Sequence, residues 1–126
     1  METIIENPTV AQKFTAVDLY NMPEQGGRNE LVQGEIIPMS PASTKHGLIV
    51  FRLAFEVGLF TNKNQLGEVY AAETGFTINQ NPDTVRAPDV AFIAKKRIPE
   101  GGVPETGFWA IAPDLVAEIV SPNDRM

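Results

Sequence analysis

Two stretches decide how the chain reads: DTVRAPDVAFI at residues 83–93 and PDLVAEIV at residues 113–120. Each sets one acid, Asp89 or Glu118, beside a short run of β-branched and aromatic residues that favours a strand. Glu118 has apolar neighbours on both sides, which fits a buried strand. A carboxylate buried there without a partner costs several kcal/mol, so it needs a cation, a strong set of donors or a raised pKa. The same pattern fits an edge strand with Glu118 facing water. Asp89 follows Pro88, a setting that also suits a turn or cap. Should the two acids converge from neighbouring strands, their oxygens would suit a hard divalent cation such as magnesium.

The elements around these strands can be read outward. Thr15-Ala-Val-Asp18 predicts a helix start, with Thr15 as cap and Asp18 in the first turn. That helix should end near Asn21-Met22-Pro23, with Gly26-Gly27 marking a turn. Between Asn29 and Met39, apolar residues flank Gln33-Gly34-Glu35, which suits the tip of a hairpin. From Ser43 to about Phe60, Leu48, Phe51, Phe55 and Leu59 recur at helical spacing, and Arg52 and Glu56 form an i,i+4 pair. Residues 68–78 read as extended, Asn79–Asp83 as a turn cluster, and Val90–Ala94 as a short apolar strand. Residues 95–113, rich in glycine and proline, read as an irregular connection into which Phe108 and Trp109 pack. Residues 1–13 show no periodicity and are expected to be a flexible arm, so the folded domain is placed at residues 14–126. The order helix, hairpin, helix, strands predicts one mixed α/β domain.

Composition narrows the function classes. The 126 residues are 43% hydrophobic and 21% charged, enough for one globular core. With no cysteine, disulfides, thiolate zinc sites and a cysteine nucleophile are excluded, and a reducing cytoplasm is the expected setting. No secretory leader or membrane span is visible. The net charge of −6 opposes tight nonspecific binding of nucleic acid, but a carboxylate cluster that holds a metal lowers net charge in the same way.

The strings GGRNELVQGEIIPMSPASTKHG, AAETGFTI, DTVRAPDVAFI and PDLVAEIVSPNDR, in this order and spacing, resemble the Uma-two family of restriction endonuclease-like proteins. That family lies within the PD-(D/E)xK nuclease superfamily. The resemblance runs from about Phe14 to Arg125 and implies a restriction-endonuclease-like mixed β-sheet core flanked by helices. It implies that Asp89 and Glu118 bind a divalent metal, Mg2+ or Mn2+, and that Glu30 and His46 belong to the active site. Glu35 and Glu73 fall in similar strings but read more simply as solvated carboxylates. The implied activity is hydrolysis of DNA phosphodiester bonds. Val120 stands where the lysine of the D/E-x-K element would fall, and in the resembling family that lysine comes from a helix further along. The chain is therefore expected to lack the C-terminal helix and strand. Asn29 and Gln33 also depart from the family pattern.

Two other classes remain open. One is a catalytically inactive nuclease-like fragment that acts as a binding or oligomerisation module. The other is a small ligand-binding domain whose pocket is lined by Phe76, Phe92, Phe108 and Trp109. An apolar strand edge at Leu115–Val120 predicts a homo-oligomer in which a partner covers it.

Overall fold

The computed structural model describes residues 12–23 and 28–120. Most of the expected N-terminal arm, the Gly26-Gly27 turn and the segment from Ser121 lie outside the described residues.

Helix α1 spans Ala16–Tyr20 and begins as its sequence predicts. The Asp18 backbone N–H donates to Thr15 Oγ1 at 3.1 Å, and the Thr15 N–H donates to Asp18 Oδ2 at 2.8 Å. Strands β1 (Asn29–Val32) and β2 (Glu35–Pro38) form the expected antiparallel hairpin. At its tip Gln33 and Gly34 both take positive φ, 49° and 81°, as a two-residue turn matched to strand twist requires. Helix α2, Thr44–Lys63, starts at Ser43, whose hydroxyl accepts from the His46 N–H at 3.1 Å.

The remaining strands are β3 (Gly67–Tyr70), β4 (Phe76–Asn79), β5 (Thr84–Arg86), β6 (Val90–Ala94) and β7 (Leu115–Ala117). They complete two antiparallel sheets. One has the order β2-β1-β5-β4, the other β3-β6-β7. The chain crosses from the first sheet to the second in the three residues between β5 and β6, so Asp89 lies at the junction.

Two features differ from the sequence expectation. The extended run over residues 68–78 breaks at Ala71–Gly75, and its halves join different sheets. Glu73 takes a φ of +75°, and the Phe108 ring lies so close to Gly75 that a Cβ there would sit 2.5 Å from it. Thr84–Arg86, which has no apolar run long enough to announce a strand, is β5, one of the two inner strands of the first sheet.

There are two small cores among the described residues, one within the first sheet and one that joins β4 of the first sheet to β6 of the second. Leu19, Leu31 and Val85 pack with Phe14, Ile36 and Phe108. Phe76, Ala91 and Ile93 pack with Tyr70, Trp109 and Ile111. The irregular connection thus supplies one aromatic to each core, which answers where Phe108 and Trp109 pack. Helix α2 lies on β3 and β6, and its half-buried or buried residues there are Leu53, Ala54, Val57, Gly58 and Thr61. The stripe that announced the helix faces outward, with Phe51 66% and Phe55 54% exposed.

Leu31 is fully buried, so Leu31→Ala should cost about 2–5 kcal/mol in urea unfolding. Phe55→Ala, on the outward stripe, should change stability by less than about 1 kcal/mol.

Candidate functional site

Strand pairing brings the two diagnostic acids together. Val90 on β6 pairs with Ala117 on β7, and one step beyond that pair lie Asp89 and Glu118. Beyond the strand ends the Ile119 N–H donates to Asp89 Oδ2 at 2.8 Å, closing the junction. Asp89 is 7% exposed.

His46 reaches the same point from the first turn of α2. Its Nε2 lies 3.0 Å from the Ile119 carbonyl oxygen and 3.3 Å from Asp89 Oδ2. The imidazole therefore bridges the backbone that follows Glu118 and the Asp89 carboxylate. The Ser43 cap fixes the turn that carries it.

Glu118 follows β7 rather than lying within it, and β7 is the outer strand of its sheet. Of the two settings its sequence allows, a buried strand or an edge strand, the structure has the edge position, and the residue as a whole is exposed. Its carboxyl group nonetheless has a raised pKa. Burial of that group is the largest cause and the charge of Asp89 the next; the Asp89 backbone N–H opposes the rise, and the charge of Glu30 adds to it. Acids from β1, the start of β6 and the end of β7 thus act on one another.

Glu30, on β1, is 5% exposed and fully engaged. Its Oε1 accepts from Arg86 Nη1 at 3.0 Å, and its Oε2 accepts from the Ala87 N–H at 2.8 Å.

The three acids adjoin one another but open on different hollows. Asp89 and His46 line one with Arg28. Glu118 lines another with Arg86 and Pro88, and Glu30 a third with Leu19 and Phe108. Among the described residues, no three His, Cys, Asp or Glu side chains stand close enough together to enclose a metal ion unaided. Magnesium commonly takes only one or two protein carboxylates, with water and substrate oxygens completing its shell. The Asp89–Glu118 pair, whose charges repel, supplies that number of acids for a divalent cation, with the two side chains opening on adjoining hollows.

The other acids stay apart. Glu35 faces Lys13 at 3.6 Å at the hairpin tip, and Glu73, 75% exposed, stands 3.9 Å from Arg28. Lys95 and Lys96 follow β6 at the end opposite Asp89, roughly 20 Å along the strand at about 3.3 Å per residue. The ligand-binding alternative's aromatics do not share one pocket: Phe76, Phe92 and Phe108 each border a different hollow. Arg86 and the Ile119 backbone escaped the sequence reading, since only strand register shows that they meet Glu30 and Asp89.

The fold and the placement of the acids define a nuclease-like α/β domain. The family described as "Putative restriction endonuclease", Uma2, matches residues 16–125, and the chain belongs to it. A solved structure from Anabaena variabilis, described as a "putative nuclease belonging to DUF820", is similar, with a TM-score of 0.71 and 25% sequence identity. The match covers 89% of this chain and 61% of that one, so the chain spans less than two thirds of that protein's length. No curated protein matches. No helix among the described residues is long and apolar enough to cross a membrane.

The raised pKa of Glu118 carries a sign. The folded chain holds this proton more tightly than the unfolded chain, so the associated stability is fully present below the ordinary glutamate pKa of about 4.3. It is lost as pH rises through the raised value. In EDTA-treated protein, Glu118→Gln should therefore gain melting temperature relative to wild type between about pH 4 and pH 7. A difference that stays flat over that range would show that Glu118 is not crowded by acids.

Proposed function

We propose that this domain is a divalent-metal-dependent endonuclease acting on DNA phosphodiester bonds. The observation that carries the reading is the approach of Asp89 and Glu118 across the β6–β7 junction, where the repulsion between them would be relieved by a cation. Asp89 and Glu118 hold Mg2+ or Mn2+. When bound, the metal supplies polarisation of the scissile phosphate and a lowered pKa for an attacking water. His46 holds the Asp89 carboxylate and the Ile119 backbone in place. Glu30, on β1, accepts from the Ala87 N–H at the crossing between the sheets, and its charge acts on Glu118.

A second reading is supported by the apolar surface. Leu115 and Val116 on β7 are 58% and 49% exposed and adjoin a nearly apolar hollow bounded by Leu53 and Val57 of α2. On that reading the domain is an oligomerisation or binding module in which a second copy covers the β7 edge. The two readings are compatible, and a reducing cytoplasm suits both.

Supercoiled plasmid incubated with the purified chain should be nicked in Mg2+ or Mn2+ and left intact in EDTA. Asp89→Ala should reduce the rate at least about 100-fold while the chain stays folded, as expected for removal of a group that holds the catalytic charge. Equal nicking by wild type and Asp89→Ala would sink the enzymatic reading.

A further inference from the structure

We infer that Arg86 is the cation that receives a substrate phosphate in this site, and that Glu30 is its positioning residue. The inference rests on the nuclease reading above and assigns a role that the resemblance did not.

The pairing Leu31↔Val85 makes Glu30 and Arg86 direct cross-strand neighbours, so their side chains leave the sheet on the same face. The two partners are unequally placed. The Glu30 side chain is 7% exposed, whereas that of Arg86 is 48% exposed. A buried carboxylate thus anchors a guanidinium whose other donors remain accessible. Of its five N–H groups, one is committed to Glu30 Oε1. Among the described residues no second acceptor engages it.

Glu30 is itself held from its other oxygen by the Ala87 N–H. The orientation of Arg86 is therefore set by the backbone crossing that also places Asp89. A guanidinium fixed in this way gives up little conformational freedom when it meets a phosphate, whose oxygens match its fork of donors.

Arg86 also faces the right cleft. It and Glu118 line a hollow of about 410 Å³, floored by Pro88 and walled by Phe76, Ile78 and Val116. A phosphodiester entering there would meet fixed positive charge on one side and the acid of the junction on the other. In a chain of net charge −6, an anion needs such a counter-charge near the carboxylates.

Arg28 is the rival cation, since it lines the hollow of Asp89 and His46. Its partner Glu73 is exposed and 3.9 Å away, so nothing comparable fixes its direction. Lys95 and Lys96 are at the wrong end of β6.

The test is fluorescence anisotropy of a labelled duplex of about 20 base pairs with the full chain in Ca2+, at several salt concentrations, beside thermal melts of each variant. Loss of one phosphate contact lowers the slope of log affinity against log salt by about 0.9. Arg86→Ala should show that drop and bind about tenfold more weakly, and Arg86→Lys should recover the slope but only part of the affinity. Glu30→Gln should keep the slope and weaken binding less than Arg86→Ala. Arg28→Ala should leave the slope unchanged.

A folded Arg86→Ala protein with the wild-type slope and affinity would overturn the inference while leaving the nuclease reading intact, and so would a slope drop in Arg28→Ala alone. Failure of the wild-type chain to bind the duplex would instead remove the nuclease reading, and this inference with it.

Discussion

The hydrogen bond from the Ile119 N–H to the Asp89 carboxylate is the constraint on which the site depends. It joins the residue that opens β6 to the residues that follow β7, where strand pairing has just ended. Without it, Glu118 would be the free end of an edge strand with only its backbone to place it. With it, a carboxylate from each strand is held against the other, and His46 closes the same junction from α2. The arrangement is electrostatically unfavourable for the chain alone, as the raised pKa of Glu118 records. Clustering acids that would be more stable apart is characteristic of a site that holds cations or moves protons.

The first sheet contributes through charge balance. Glu30 adds a third acid to the junction, but it arrives already compensated by Arg86 and the Ala87 N–H. Its buried charge therefore costs the fold less than an unpaired one would. One core packs β5 with β1 and α1 and the other packs β6 with β4, so the three-residue crossing runs between strands that are each anchored by a buried cluster.

Much of this was legible in the residues. The Thr15 cap with Asp18 in the first turn and the Gln33-Gly34 hairpin tip are local signals, and each formed where its chemistry pointed. Glu118 stands out because an acid among apolar strand residues is costly to bury, Asp89 gains meaning only beside it, and the resemblance adds Glu30 and His46. What stayed hidden depends on tertiary pairing. The stripe of Phe51 and Phe55 reveals a helix but not the face with which it packs, because α2 is apolar on more than one side. The run over residues 68–78 has strand composition throughout, and its break reflects the close approach of Phe108 to Gly75. Arg86 drew no notice, since the register that sets it beside Glu30 spans 56 residues of sequence.

The account stands on Asp89 and Glu118 sharing one divalent ion. Isothermal titration of Mn2+ into the purified chain, with Asp89→Asn and Glu118→Gln beside it, measures this directly. The account predicts one binding event per chain in the wild type and its loss, or a weakening of at least about tenfold, in each variant. Undiminished Mn2+ binding by both folded variants would contradict it.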